Sequence, residues 1–374
     1  MPPDVQRVRL AATSRSDPTA GWCSTATTPL RERRIMNDCE VVDLFAGAGG
    51  LDLAAYSLGV PAIGIEWDPD TCSTRRAAGL PTVEGDVRAF SPADFPSATA
   101  LTSGPPRQAY SITSPQAGNR SLRDAVSLMR RMTAREDTTA CLANLDDERT
   151  GLVLEPLRWA LAAIDGGRPY EEVVLEQSPA VWPVWQAVGE ALSAEGYSVA
   201  CGVLRAEAFG VPQTRRCAVL IARRHGRAAL PEATHRLYRK DASHASVDPA
   251  LLSSVTMGEV LARPKPYVVV SNYGTAGDPR THGRRTSAEP ASTVTSKFSR
   301  NQVMTAEHTH LPRLSFSEAG LLQSFPADYP WRGKNIPQQI SMSIPPRLAT
   351  HVLGAALGRD HSPAHAHAGG VERV

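Results

Sequence analysis

A glycine-rich turn near the start of the ordered chain has the residue types of a ligand-binding loop. The apolar run 41–45 opens into a turn that contains Gly47, Gly49 and Gly50, and a helical segment from about Leu51 follows. Glycines let the backbone approach a ligand closely, and the first turn of a helix presents N–H groups without helical partners. This order predicts a strand, a binding loop and a helix.

Two acidic residues follow at the ends of the next predicted strands. Glu66 ends the apolar run 61–65, and Asp86 ends the run 81–85. An acid about 20 residues after a glycine turn can accept hydrogen bonds from the hydroxyls of a ribose. Asp86 can accept from the amino group of an adenine. Because parallel strands end at one edge of a sheet, the three features predict an adenosine-shaped pocket.

A further loop, 101–111, contains Gly104, Pro105, Pro106 and Arg107. Its frame is typical of a loop that presents a nucleophile, but the central position holds an arginine. A guanidinium stays protonated and has donors but no lone pair to share. Arg107 therefore cannot act as the nucleophile.

Seven stretches resemble, in order and spacing, the motifs of the DNA cytosine-5 methyltransferase family. The resemblance covers the chain from about Val41 to Leu357. It implies an α/β fold with a Rossmann-like class I methyltransferase sheet and a small basic target-recognition domain. The matching stretches are 43–51, 65–66, 85–86, 104–106, Glu176, 213–215 and 322–329.

The resemblance also implies a domain organisation. We expect a disordered extension at 1–38, a catalytic domain that binds S-adenosylmethionine at 39–222 plus 312–358, a target-recognition domain at 223–311, and a disordered tail at 359–374. Residues 223–302 contain 13 Lys and Arg against 6 Asp and Glu. A basic segment on a nearly neutral chain suits a polyanion such as DNA.

The family's cofactor is S-adenosylmethionine, and the resemblance assigns its pocket residue by residue. A first group wraps the methionine part, Glu66 holds the ribose, and two residues hold the adenine. The first group is Phe45, Gly47, Gly49 and Leu51, and the adenine pair is Asp86 with Val87. Trp67 and Pro105 complete the predicted pocket.

The family's chemistry requires a thiolate, because C5 of cytosine is a poor nucleophile until a sulfur adds at C6. Family members supply that thiolate from Gly-Pro-Pro-Cys, where this chain has Arg107. The resemblance implies that Glu176 holds a cytosine flipped out of the duplex, with Arg215 beside it in the catalytic set. Gln108, Arg284, Arg285 and Lys297 are the predicted DNA contacts.

Further departures from the family pattern fall at the same site. Cys217 replaces the last arginine of Gln-x-Arg-x-Arg, and Met342 replaces an asparagine that supports the cofactor. We therefore expect a family member that binds cofactor and duplex DNA but is impaired or inactive, a pseudoenzyme.

Two alternatives stay open. One is an active methyltransferase with rearranged chemistry, in which Cys217 attacks the base or the methyl group goes to an exocyclic nitrogen. The other is a DNA-binding module without catalysis. Relative to the family pattern, Arg107 and Cys217 have in effect exchanged residue types, which motivates the first alternative, although the family thiol and arginine approach the base from different directions. The second alternative would also have lost cofactor binding.

Several other classes of protein are disfavoured by composition. The six cysteines are scattered without zinc-ligand spacing, so we expect neither a metal site nor a disulfide framework. No apolar run approaches the roughly 20 residues needed to span a bilayer. We expect a cytoplasmic monomer without membrane contact, which acts on double-stranded DNA beside a cognate restriction endonuclease.

Overall fold

The computed structural model describes residues 36–106, 115–143, 151–240, 248–264, 266–272 and 283–359. A large sheet within this part contains seven strands in the order β3-β2-β1-β4-β5-β8-β6. Its strands are β1 (Val41–Leu44), β2 (Ala62–Glu66), β3 (Thr82–Glu84), β4 (Ala100–Ser103), β5 (Glu172–Gln177), β6 (Ser198–Arg205) and β8 (Arg216–Arg223), and the short β7 (Gln213–Thr214) lies outside it.

The first five strands are parallel, and β8 runs antiparallel between β5 and β6. Two runs of the sequence, 197–204 and 216–222, predict a hairpin, and β6 and β8 form that antiparallel pair. The chain order reverses between β1 and β4, because β1 continues to β2 on one side and β4 continues to β5 on the other. Open α/β sheets bind ligands at the carboxyl ends of such strands. The Rossmann-like methyltransferase fold class is confirmed.

Helices cover both faces of the large sheet. Apolar side chains of α3, α5 and α6 pack on one face, and those of α1 and α10 pack on the other. None of the described helices is long and apolar enough to cross a membrane. The helices are α1 (Gly50–Ser57), α2 (Pro69–Ala77), α3 (Pro115–Thr133), α4 (Thr139–Ala143), α5 (Glu155–Asp165), α6 (Trp182–Ala194), α7 (Met257–Val260), α8 (Phe316–Leu322), α9 (Ile336–Met342) and α10 (Pro346–Leu357).

Prolines set the starts of two helices. The sequence predicts a helix from 151, but α5 begins at Glu155 with Pro156 in its first turn. The helix predicted from 184 begins two residues earlier, with Pro183 in its first turn. Proline lacks an N–H and is tolerated in the first turn, where that donor has no helical partner.

A second, four-stranded sheet lies in the basic segment, in the order β10-β9-β12-β13. Its strands are β9 (Tyr267–Val270), β10 (Arg284–Thr286), β12 (Gln302–Thr305) and β13 (His310–Leu311), while β11 (Ala291–Ser292) pairs with β7. Leu314, Leu322 and Ile340 share an apolar cluster with this sheet. Packing is thus continuous across the boundary predicted at 311/312, and that boundary stays a prediction.

Candidate active site

A cavity of about 650 Å³ opens at the carboxyl ends of β1 to β5. Pockets of 300–1,000 Å³ hold cofactor-sized ligands. The residues that line it come from the glycine turn, the two acidic strand ends, the Pro-Pro loop and α9. The lining includes the following residues of the predicted site: Phe45, Gly47, Leu51, Glu66, Trp67, Asp86, Val87, Pro105 and Glu176.

The glycine turn is built from left-handed backbone. The φ angles of Phe45, Gly47 and Gly49 are 57°, 55° and 95°. Phe45 carries a side chain in a conformation that glycine adopts more readily. Gly49 does not line the cavity and is the N-cap residue of α1. The Tyr329 hydroxyl donates to the carbonyl oxygen of Ala48, so the turn is held by a residue that does not line the cavity.

Glu66 presents its carboxylate to the cavity from the end of β2. Its Oε2 accepts from the N–H of Gly47 at 2.9 Å. Its Oε1 accepts from the N–H groups of Trp67 and Asp68, both at 2.9 Å. Burial raises the pKa of Glu66, and these hydrogen bonds oppose that shift. A carboxylate has about four acceptor positions, so Glu66 retains one for a ligand hydroxyl.

Asp86 lines the cavity but already has a strong partner. Its carboxylate forms an ion pair with Arg88 at 2.5 Å, and this bond lowers the pKa of Asp86. An adenine amino group would therefore share the carboxylate with Arg88. Next to this pair, Val87 is buried, whereas Trp67 is 73% exposed at the rim.

The Pro-Pro loop passes close to Glu176. A Cβ built on Gly104 would lie 4.0 Å from Oε2 of Glu176, and Glu176 is itself buried at the end of β5. The adjacent Gln177 donates from Nε2 to the carbonyl oxygen of Pro105 at 2.5 Å. Its Oε1 accepts from the N–H of Ser178 at 2.6 Å. Arg107 and Gln108 lie outside the described residues.

Arg215 and Cys217 both lie behind the cavity wall. Arg215 is 2% exposed and donates from Nη1 to the carbonyl oxygen of Ser341 at 2.9 Å. Cys217 is fully buried in the apolar cluster beneath α1 and α10. Neither residue lines the cavity. This position of Cys217 opposes the alternative in which its sulfur attacks a bound base.

A pair of buried glutamines connects the basic segment to α9. Gln213 donates from Nε2 to Oε1 of Gln323 at 2.8 Å and accepts at its Oε1 from the N–H of Val294 at 2.7 Å. Gln323 donates in turn to the carbonyl oxygen of Ile340 at 2.6 Å, in α9. The two side chains thereby connect the loop after β11, in the basic segment, with the helix that forms one cavity wall.

Sequence reasoning did not place the α9 wall at the cavity. The stretch 339–346 was matched to a family motif, with Met342 as a departure from it. The other members are polar residues near the start of α9 and in the turn after it. They are Asn335, Gln338, Gln339 and Ser343. The available signal was the polar run before the apolar Ile340, at the start of a short helix.

Of the predicted DNA contacts of the basic segment, Arg284 and Arg285 lie in β10 of the small sheet, and Lys297 lies in the loop between β11 and β12. Arg284 and Lys297 are exposed. Arg285 is only partly exposed, and its guanidinium lies 4.3 Å from the ring centre of Tyr238 and 3.6 Å from Glu289. None of these three basic residues lines the cavity.

The chain was compared with known proteins. Residues 39–132 match the family model for C-5 cytosine-specific DNA methylase. The chain is 27% identical over 208 residues to Type II methyltransferase M.AquIA of Picosynechococcus sp., covering 52% of this chain and 77% of that one. It is 27% identical over 348 residues to Type II methyltransferase M1.HphI of Haemophilus parahaemolyticus, covering 84% and 86%.

A solved structure shows the same fold. The Entamoeba histolytica methyltransferase EhMeth superposes with a TM-score of 0.57 at 11% identity, over 85% of this chain and 97% of that one. This agreement in fold accompanies the agreement in sequence, which includes the glycine turn and both acidic strand ends within 39–132. Residues 39–132 therefore match a C-5 cytosine-specific DNA methylase domain, and the chain is similar to the DNA cytosine-5 methyltransferase family in sequence and in fold.

Proposed function

We propose that this protein binds S-adenosylmethionine and duplex DNA, flips a cytosine toward Glu176, and is impaired in methyl transfer. The observation that carries the proposal is the shared cavity. Glu66 and Asp86 line one part of it, and Glu176 and Pro105 line another. A cofactor and a base bound there would lie next to each other.

The cavity residues fit the cofactor. Glu66 retains an acceptor position for a ribose hydroxyl, because three backbone N–H groups occupy the others. The α1 helix begins at Gly50 beside the cavity, and a helix N-terminus favours a carboxylate such as that of a methionine moiety. When bound, S-adenosylmethionine supplies an electrophilic methyl group. Glu66 and Asp86 orient the nucleoside part.

The base would be held by the β5 end of the cavity. Glu176 faces the Pro-Pro loop, and its carboxylate can accept from the amino group of a cytosine. Enzymes that act on a base inside a duplex must first take it out of the stack. The exposed cations Arg284 and Lys297 suit phosphate contacts that position the duplex.

The impaired chemistry follows from the absence of a suitable nucleophile. No cysteine is among the described residues that line the cavity, and the family's thiolate position is Arg107 in the sequence. Because a guanidinium has no lone pair to share, C6 of the base would receive no covalent activation. We propose a binding-competent protein with little or no methyl transfer to C5.

Methyl transfer by wild-type and Arg107→Cys proteins, measured side by side, tests this proposal. Tritium from labelled cofactor should enter duplex DNA only with the variant, and Glu176→Ala in the variant background should remove the label. If DNA treated with wild-type protein carries more tritium than DNA treated with the single variant Glu176→Ala, the proposed impairment is contradicted. If the label lies on an exocyclic nitrogen, the rearranged chemistry is favoured instead.

Calorimetry separates the proposal from a DNA-binding module without cofactor. Wild-type protein should bind S-adenosylmethionine, and Glu66→Ala should weaken binding about 10–100-fold, the effect of losing a hydrogen bond to a charged group. An absence of binding by wild-type protein would favour the module. We further propose that the protein is a cytoplasmic monomer and that it acts beside a cognate restriction endonuclease. The Type II names of two relatives support the second of these proposals.

A further inference from the structure

A fully buried arginine lies beneath the glycine turn. Arg75 of α2 is 0% exposed, although no part of it lines the cavity. Its guanidinium lies against β2 at Gly64, where a Cβ would come within 2.0 Å of Nη2. Because Gly64 has no side chain, the guanidinium of Arg75 can occupy the space beside the middle of β2.

Each nitrogen of this guanidinium has a partner. Nη1 and Nη2 donate to the two oxygens of Asp52 in α1, at 2.8 and 2.7 Å. Nε donates to the hydroxyl of Thr82 at 3.0 Å, and Nη2 also donates to the carbonyl oxygen of Pro81 at 3.1 Å. Arg75 therefore joins α1 and α2 to the chain segment that leads into β3.

The remaining contacts reach the glycine turn itself. Nη1 lies 3.3 Å from the carbonyl oxygens of both Ala46 and Gly47. The Tyr329 hydroxyl donates to the next carbonyl oxygen, that of Ala48. Three successive carbonyls are thereby held by two residues that do not line the cavity. The N–H of Gly47 is left on the cavity side, where it donates to Glu66.

A turn with this backbone needs such external contacts. Phe45, Gly47 and Gly49 are all left-handed, and within the turn the N–H of Gly49 donates to the carbonyl oxygen of Ala46 at 3.1 Å. The turn also contains no regular secondary structure between β1 and α1. Hydrogen bonds from Arg75 and Tyr329 add to this internal bond, because they restrain the carbonyls of Ala46, Gly47 and Ala48 from outside the turn.

We propose that Arg75 is a positioning residue for cofactor binding, which acts by fixing the carbonyls of Ala46 and Gly47. The inference rests on the proposed binding of S-adenosylmethionine. Arg75 itself touches no part of the cavity. Its effect reaches the cofactor through the turn and through the bond between Gly47 and Glu66.

A double variant separates positioning from simple stabilisation. Replacing Arg75 alone leaves Asp52 buried and unpaired, which can prevent folding. Asp52→Leu with Arg75→Met removes both charges, and such apolar replacements of buried ion pairs often keep or increase stability. The double variant should unfold near the wild-type temperature. Its affinity for S-adenosylmethionine should nevertheless be at least about tenfold lower than that of wild type.

The conservative variant Arg75→Lys provides an independent measurement. Its ammonium group keeps the charge opposite Asp52 but cannot reproduce the planar, forked donors. Cofactor affinity should fall about tenfold. Hydrogen exchange at the amides of Gly47 and Gly49 should become faster, as it should in the double variant. Arg76→Lys, on the exposed side of α2, is the matched control and should change neither quantity.

The outcomes distinguish the two proposals. If wild type binds cofactor and either Arg75 variant binds it equally well, the positioning role is wrong and the proposed function stands. Wild-type protein that binds no S-adenosylmethionine would overturn both. Reduced affinity without faster exchange at Gly47 would also overturn the positioning role, since the turn would then be unchanged.

Discussion

The side-chain amide of Gln177 donates to the carbonyl oxygen of Pro105 across 2.5 Å. This bond joins the end of β5 to the loop that follows β4, two strands that are neighbours in the sheet. Glu176 and the Pro-Pro loop are therefore held in a fixed relation by the residue directly after Glu176. The relation matters because both contribute to the same cavity wall.

Replacing Gln177 should loosen this wall. Gln177→Met keeps the length of the side chain but leaves the Pro105 carbonyl and the Ser178 N–H without their partner. The free energy of unfolding should decrease by about 1–3 kcal/mol, the cost of leaving buried polar groups unsatisfied. Thermal unfolding measures the loss, and Gln186→Met, at an exposed position of α6, should leave the midpoint unchanged. Equal midpoints for both variants would show that the bond to Pro105 adds nothing.

Cofactor affinity should depend on pH through Glu66. Burial raises the pKa of Glu66 above its ordinary value of 4.5. The Glu66 carboxylate therefore becomes protonated at a higher pH than an exposed glutamate does. Protonation removes acceptor capacity from the carboxylate. Affinity should therefore be full above the raised pKa and decline as pH falls through it. Calorimetry across a pH series checks this decline.

Two variants identify the titrating group. Glu66→Gln should weaken binding and flatten its pH dependence, because the amide does not titrate. Glu84→Gln, at the end of the neighbouring strand but outside the cavity lining, should preserve the wild-type profile. An unaltered pH dependence in Glu66→Gln would assign the titration to another buried carboxyl, for example Asp43, whose pKa is also raised by burial.

Cys217 should matter for stability and not for chemistry. Cys217→Ala removes one buried atom from the cluster beneath α1 and α10, a change of the size that costs about 1 kcal/mol in a packed core. In the Arg107→Cys background, tritium transfer should continue at an unchanged rate. A complete loss of transfer with an unchanged unfolding midpoint would instead assign Cys217 a catalytic role.

The two arginines of β10, Arg284 and Arg285, should contribute differently: one to DNA binding and the other to folding. Arg284→Ala should reduce the slope of log K against log salt concentration for DNA binding by about 1, as expected when one phosphate contact is lost. Arg285→Ala should act mainly on folding, because its guanidinium lies over Tyr238 and near Glu289. Salt titrations of both variants, with Arg76→Ala as control, measure the difference. Equal slopes for Arg284→Ala and wild type would exclude that phosphate contact.

The sequence was sufficient for the parts of the site that are local. Gly47, Glu66 and Asp86 each follow a recognisable apolar run, and the parallel sheet brings such strand ends to one edge. The hairpin of β6 and β8 was likewise visible as two apolar runs. These features depend on residue type and spacing along a short segment.

Other parts of the site depend on contacts between distant segments. Arg75 is one of two adjacent arginines, and nothing near it in sequence indicates that it is buried against Gly64. Gln213 and Gln323 are 110 residues apart, so their pairing depends on how the small sheet packs. The α9 wall was missed for the same reason, since its short polar run acquires a role only when it lies over the cavity.

The close approach of Arg75 to Gly64 restricts how this chain can diverge. A methyl group at position 64 would lie 2.0 Å from Nη2 of Arg75 and 2.5 Å from the Cβ of Ala46. The buried guanidinium of Arg75 therefore requires a glycine at position 64. Because Ala46 is also close, a side chain at position 64 would still clash if Arg75 were replaced by a smaller residue.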